Sequence, residues 1–257
     1  MALFNSGNPT LSEKIFGRSS DLTTTQSGVM TVKGTINKFG FLMLMVIGAA
    51  SFSWHLYSEQ NYGMMQTLLM VGVFGGLITG LIISFKPNTA SYLAPAYGIL
   101  EGLFIGGLSA VVNDMFSKKY PGIVLQAVGL TFGVALAMYL LYTFKIIKAT
   151  EKFKSVVISA TMGIAIFYGI SMLLRLFGVQ LGFMSIEDGG MLGIGISLFV
   201  VAIAALNLIM DFDMIERGAE MGAPKNMEWY GAFGLLVTIV WLYIEMLKLL
   251  MRFANRK

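Results

Sequence analysis

The sequence predicts an all-α membrane protein, a seven-transmembrane-helix bundle with the last helix central. Hydrophobic residues make up 56% of the chain and charged residues only 12%, whereas a soluble domain carries about 25% charged residues. Apolar stretches of about 20 residues, each long enough to cross the hydrocarbon core as a helix, recur along the sequence. The short alternating strands and turn clusters of a transmembrane barrel are missing from the sequence. Helices are therefore the predicted elements.

The elements follow one another through short connections. Residues 1–38 are polar and rich in Ser and Thr, which predicts a flexible cytoplasmic tail. The membrane domain, residues 39–257, holds seven apolar segments, at 39–57, 64–85, 91–112, 122–144, 155–177, 190–210 and 230–253. The five prolines lie in the tail, in connections or near a segment start, as Pro95 does, so no segment is broken.

Glycines at four-residue spacing recur in these segments. Because they lack side chains, neighbouring helices can approach closely, which favours a compact bundle. The sets are Gly76 with Gly80, Gly98 with Gly102 and Gly106, Gly129 with Gly133, and Gly189 with Gly193.

The distribution of Lys and Arg predicts the orientation. If all seven segments cross the membrane, 11 of these residues lie on the side of the tail and 7 on the opposite side. If the last segment enters the membrane and returns, 15 lie on the side of the tail and 3 on the opposite side. Both counts place the amino terminus in the cytoplasm. Most Lys and Arg residues lie outside the apolar segments, so the net charge of +4 indicates topology and not nucleic-acid binding.

Composition also argues against enzymatic chemistry. There is no cysteine and only one histidine, His55, which leaves too few ligands for a zinc site of the usual kind. The G-x-G-D pattern of intramembrane aspartyl proteases does not occur, and His55 has no suitable serine partner for rhomboid-like chemistry. We expect no enzyme activity and no cofactor.

Four acids lie in or at the end of apolar segments: Glu101, Asp211, Asp213 and Glu245. An ionised group at membrane depth costs about 2.5 to 3.5 kcal/mol on insertion scales, so each needs a partner, a watery cavity or a function. Glu245 lies deep in the last segment, and its simplest partner is Lys248, three residues on. An ion pair there is compatible with a functional role. A polar stripe of Thr238, Glu245, Lys248 and Arg252 predicts that this helix lies at the centre of the bundle.

Asp211 and Asp213 differ by about 200° around a helix, so they face different neighbours. Asp211 shares its face with Asn207 and is the acid expected to turn inward, although a simple position at the water line is an equal alternative. Asp213 leads towards the polar connection and is expected to be solvated. Glu101, between Gly98 and Gly102, either supports a helix crossing or faces the same cavity as the other acids.

The sequence resembles the transmembrane Bax inhibitor motif family, including its bacterial members. The residues that carry the resemblance are MDFDMIERG at the end of the sixth segment, LYIEMLKLL in the last, and LAPAYGILEGLFIGGLSA in the third. The family has an aspartate in a D-x-x-x-I pattern ending helix six and a second one in an L-Y-x-D-like pattern in helix seven. The matching positions are Asp211 and Glu245, the latter one methylene longer.

This resemblance implies a last helix surrounded by the other six and a pH-sensitive calcium leak in an integral membrane protein, here of the bacterial inner (plasma) membrane. Asp211 and Glu245 would share one proton, and raising the pH would remove it and separate the pair. Calcium is the implied permeant ion, bound weakly because two carboxylates with Asn207 supply only part of its shell. Some members use an arginine in helix two as a latch on the pair. Lys86 is the candidate here.

Two other functions stay open. A non-conducting membrane regulator or scaffold would bind protein partners through the tail or through the basic connection FKIIKATEKFKS, for which anionic lipid is the simpler partner. A secondary transporter would use the carboxylates as proton carriers, although the two halves show no repeat. The expected partners are the lipid bilayer, calcium ions and protons.

Overall fold

The computed structural model describes residues 28–179 and 190–256. Within these residues it contains no strand, only an isolated bridge between Val29 and Pro224. A single 3-10 turn, Pro87–Thr89, joins the second helix to the third. The long helices are α1 (Val32–Ser58), α2 (Tyr62–Phe85), α3 (Ala90–Phe116), α4 (Ile123–Thr143), α5 (Glu151–Leu176), α6 (Met191–Glu220) and α7 (Met227–Arg256). All seven are long and apolar enough to cross a membrane, which confirms the predicted fold class.

Side-chain caps mark where several helices begin. The Thr31 hydroxyl accepts from the backbone N–H of Gly34 at the start of α1, and the Thr150 hydroxyl accepts from that of Phe153 at the start of α5. Asn61 caps α2 in the same way. Each cap satisfies a backbone donor that has no partner within the first helical turn.

The described residues form two compact units. The first unit comprises residues 28–114 and 211–237, and so contains α1, α2, α3, the end of α6 and the start of α7. The second unit comprises residues 115–179, 190–210 and 238–256, and contains α4, α5 and the remaining parts of α6 and α7.

Glycines hold the helices of the first unit close together. A Cβ on Gly102 would lie 2.4 Å from the carbonyl oxygen of Val46, and one on Gly106 would lie 2.3 Å from that of Ala50. On another side of α3, a Cβ on Gly72 would lie 2.6 Å from the carbonyl oxygen of Leu100. Because these obstacles are backbone atoms, α3 can pack this closely on α1 and α2 only where side chains are absent.

The predicted glycine contacts are confirmed in α2 and α3 but not in α4. Gly129 and Gly133 have no described atom within 4 Å of an added Cβ. Gly189 lies outside the described residues. Four-residue spacing therefore predicts close packing correctly in one part of the chain and wrongly in another, since a glycine can equally face lipid.

The second unit is built around apolar side chains of α5, α6 and α7. Ile164 of α5 and Val200 and Ile203 of α6 are buried together, and Trp241 of α7 packs against them. Tyr168, one turn after Ile164, packs on the same cluster. This packing positions the Tyr168 hydroxyl among the buried groups of the unit.

The helices extend beyond the apolar segments. Helix α1 begins at Val32, seven residues before the predicted segment start at 39, so the last part of the predicted tail is helical; residues 1–27 lie outside the described residues. Helix α6 continues to Glu220, ten residues beyond the predicted end at 210. Hydropathy locates the apolar run, and polar residues can extend the same helix on either side of it.

The last helix is the most buried of the seven. In its most apolar window 78% of the residues are buried, against 61% for α6 and 44% or less for the others. It is an unbroken helix of 30 residues, about 45 Å long at 1.5 Å per residue, which exceeds the hydrocarbon thickness. A segment that enters and returns would need a reversal of direction, and α7 contains none. The helix is therefore long enough for a full crossing.

Candidate functional site

Glu245 is enclosed within the second unit and both of its carboxylate oxygens are hydrogen-bonded. Its side chain is only 2% exposed. The Lys248 ammonium donates to Oε1 at 2.9 Å, and the Tyr168 hydroxyl of α5 donates to Oε2 at 3.1 Å. The predicted ion pair with Lys248 is present, and Tyr168 is a partner that sequence reasoning missed.

Tyr168, Glu245 and Lys248 contact one another as a group of three, which we call the Glu245 triad. The Lys248 ammonium lies 5.0 Å from the centre of the Tyr168 ring, within the range of a cation–π interaction. Lys248 is 33% exposed on its side chain, whereas Glu245 is nearly inaccessible. The triad therefore links an enclosed carboxylate to a cation that reaches a more open environment.

Asp211 is fully buried, with none of its surface exposed. The alternative of a carboxylate at the water line is thereby excluded, and the prediction that Asp211 turns inward is confirmed. Asp211 belongs to the first unit and Glu245 to the second. That these two carboxylates share a proton stays a prediction.

Asp213 is paired within its own helix. Its carboxylate lies 2.9 Å from Nε of Arg217, one turn on, and its side chain is 13% exposed. The expectation of a solvated Asp213 is therefore wrong in large part: because α6 continues to Glu220, Asp213 lies inside a helix with a cation one turn away and not in an open connection.

Asn207 is buried in the second unit and connects α6 to α5. Its Nδ2 donates to the Thr161 hydroxyl at 2.9 Å and to the carbonyl of Ile203 at 2.8 Å. Because Asn207 lies one turn before Asp211 on the same helix, this contact fixes the rotation of α6 near Asp211.

Glu101 has the contacts of a residue that supports a helix crossing. The Tyr97 hydroxyl, one turn earlier in α3, donates to its carboxylate. The Tyr97 ring packs edge-to-face on Phe233 with centroids 4.8 Å apart, and a Cβ on Gly76 of α2 would lie 3.4 Å from Oε1 of Glu101. The described neighbours of Glu101 thus lie in α2 and α3, within the first unit, and Tyr97 connects them to α7 through Phe233.

Lys86 lies exposed in the connection that follows α2. Its backbone N–H caps that helix by donating to the carbonyl of Ile82. Among the described residues, the Lys86 side chain makes no ion pair or hydrogen bond, so its role as a latch stays a prediction.

Glu228, in the first turn of α7, is a buried acid that sequence reasoning missed. Its carboxylate accepts from the backbone N–H and the hydroxyl of Thr31, both at 3.0 Å, and from the Lys38 ammonium. The Lys38 ammonium also lies 5.4 Å from the Trp229 ring centre. We call Thr31, Lys38 and Glu228 the α1–α7 clasp. The clasp requires glycine at position 34, because a Cβ on Gly34 would lie 2.1 Å from Oε1 of Glu228.

The acids do not form a dense metal site. Among residues 28–179 and 190–256, no three His, Cys, Asp or Glu side chains cluster in a way that could hold a metal ion. A weak calcium contact through Asp211 and Glu245 would use two carboxylates only, so it stays a prediction with water completing the shell.

Seven apolar helices with buried acids on the last two define a polytopic integral membrane protein. The chain belongs to the Bax inhibitor 1 like family, whose model matches residues 8–255. The resemblance seen in the sequence is thereby confirmed. Comparison with curated proteins and comparison with solved structures give no match.

Proposed function

We propose that this protein is a pH-sensitive calcium leak channel whose gating depends on protonation of Asp211 and Glu245. The observation that carries the proposal is that both acids are enclosed, with exposures of 0% and 1%, in the last two helices of a membrane protein. Family membership supports the same function. The proposal involves no enzymatic step and no cofactor.

The enclosure of these acids has an energetic consequence. A carboxylate removed from water is stable only with compensating partners, and otherwise it takes up a proton. At Glu245 the compensation comes from Lys248 and Tyr168. A proton or a calcium ion that binds Glu245 must compete with Lys248 for the same oxygens, so proton binding and ion binding are coupled to the position of Lys248.

The same arrangement favours weak binding of calcium. Calcium takes about six to eight oxygen ligands, and one carboxylate with a tyrosine hydroxyl supplies only a few. Water must complete the shell, and the Lys248 ammonium opposes a divalent cation by charge repulsion. An ion held this loosely leaves as readily as it enters, which suits permeation better than storage.

The test is calcium entry into liposomes that contain the purified protein, measured with an enclosed calcium dye across pH 5 to 8. We expect wild-type flux to depend on pH and the variants Asp211→Asn and Glu245→Gln to lose that dependence, because a neutral amide cannot titrate. The matched control is Glu59→Gln, which removes an exposed acid at the end of α1 and should leave the pH profile unchanged.

The double variant Asp211→Asn/Glu245→Gln tests whether the two acids share a proton. If they act as one titrating unit, each single variant abolishes the pH dependence as completely as the double variant does. If they titrate independently, each single variant retains part of the dependence. Wild-type pH dependence in both single variants would contradict the proposed gating.

Flux also separates the proposed function from its alternatives. A scaffold would give no calcium entry at any pH. A proton-coupled transporter would move protons in fixed proportion to calcium, which an enclosed pH dye detects, whereas a leak channel conducts calcium down its gradient without coupled proton movement.

A further inference from the structure

A cleft of about 480 Å³ lies in the first unit, where α1 and α7 begin. Residues from 29–41 and 225–229 line it. Both helices begin among these residues, and a helix amino terminus carries partial positive charge. The cleft shares no lining residue with the Glu245 triad.

The cleft lies at the level where the apolar segments begin. The first segment starts at residue 39 and the last at residue 230, and the lining residues stand on both sides of these positions. Phe41 and Trp229 form its apolar wall and pack edge-to-face with centroids 6.0 Å apart. Tryptophan favours the boundary between headgroups and hydrocarbon. The cleft thus opens at headgroup depth.

The charge of the cleft is positive. Three lysines, Lys33, Lys38 and Lys225, line it together with one acid, Glu228. The α1–α7 clasp pairs Glu228 with Lys38, so this acid does not repel an anion. Lys33 and Lys225 are exposed, and neither side chain has an ion pair or hydrogen bond within the described part of the chain. With respect to the described residues, these two cations are therefore available to a ligand.

The clasp also makes the cleft a fixed feature. The three hydrogen bonds to Glu228 join the start of α1 to the start of α7, and the backbone N–H of Met30 donates to the carbonyl of Ala223 at 2.7 Å. Because these contacts hold both walls in place, a ligand binds without having to order them.

We propose that this cleft binds the headgroup of an anionic phospholipid. Lys33 and Lys225 contact the phosphate, and Phe41 and Trp229 contact the first part of the acyl chains. The depth and charge of the cleft select this occupant. Residues 1–27 carry two acids and two basic residues, so the tail offers the cleft no net negative charge.

The experiment is competition between phosphatidylglycerol and phosphatidylcholine with identical acyl chains for the full-length protein in detergent, read by native mass spectrometry. Each lysine near an anionic headgroup contributes about a fivefold change in affinity, so Lys33→Gln/Lys225→Gln should lower the preference for phosphatidylglycerol by about twentyfold to thirtyfold. Both lysines are exposed, so the thermal unfolding of the variant should match wild type.

A control double variant removes the same charge elsewhere. Lys118→Gln/Lys119→Gln alters exposed lysines after α3. It should keep the preference. An equal loss in this control would assign the effect to general surface charge and overturn the proposal.

Fluorescence quenching locates the lipid. Brominated phosphatidylglycerol should quench the wild-type protein more than brominated phosphatidylcholine does, and this difference should vanish in Trp229→Phe. Persistence of the difference in that variant would place the lipid elsewhere and overturn the proposal. Displacement of phosphatidylglycerol by millimolar inorganic phosphate would identify a free-phosphate site and likewise overturn it.

Discussion

Replacing Gly34 with alanine should break the α1–α7 clasp. The new methyl group would lie 2.1 Å from Oε1 of Glu228, so the carboxylate must move. Three hydrogen bonds, two from Thr31 and one from Lys38, then lengthen or break. Hydrogen bonds to a charged group contribute about 1.5 to 3 kcal/mol each. The higher helix propensity of alanine offsets at most about 1 kcal/mol of this loss. At the lower end of the range for hydrogen bonds, the free energy of unfolding should fall by about 3.5 kcal/mol if all three bonds are lost.

The assay is equilibrium unfolding in mixed micelles of increasing dodecyl sulfate content, followed by circular dichroism. Gly40→Ala is the matched control, because no described atom lies within 4 Å of an added Cβ at this position of the same helix. It should be neutral or stabilising by up to about 1 kcal/mol. In a Glu228→Ala background, Gly34→Ala should cost nothing. Equal stability of Gly34→Ala and Gly40→Ala in the wild-type background would refute the reasoning.

Two further substitutions test the packing and the triad by the same unfolding measurement. Gly106→Ala should destabilise the protein by more than about 2 kcal/mol, because its Cβ would lie 2.3 Å from a backbone atom. The control Gly133→Ala should be neutral. Equal effects of the two substitutions would contradict the packing described for α3. Tyr168→Phe removes the hydroxyl that donates to Glu245 and should cost about 1 kcal/mol. The control Tyr92→Phe, at a residue that is 82% exposed, should cost nothing, and a loss equal to that of Tyr168→Phe would count against the triad.

The fold class was predictable because the hydrocarbon core imposes a minimum length and a near absence of charge on every crossing. Those two constraints act on contiguous residues, so a single sequence displays them. The ends of the helices were less predictable. Polar residues such as those of 211–220 continue α6 as a helix, since hydrogen bonding along a helix does not require apolar side chains.

The sequence did not decide whether Asp211 turns inward, for a related reason. A carboxylate at the end of an apolar run can face water or protein, and the rotation of the helix decides between them. In the structure Asn207, bonded to Thr161 of α5, fixes the rotation of α6 just before Asp211. Position along the helix was visible in the sequence, but the neighbour that sets the rotation was not.

The partners of the buried acids show where sequence reasoning stops. Lys248 was predictable because it lies three residues after Glu245, on the same helical face. Tyr168 lies 77 positions away from Glu245 and Thr31 lies 197 positions away from Glu228. The burial of Glu228 could not be predicted from the sequence, because an acid in the first turn of a helix is already explained by the helix dipole. A sequence thus reveals the cost of burying a charge, whereas the groups that offset this cost become known only when the chain is folded.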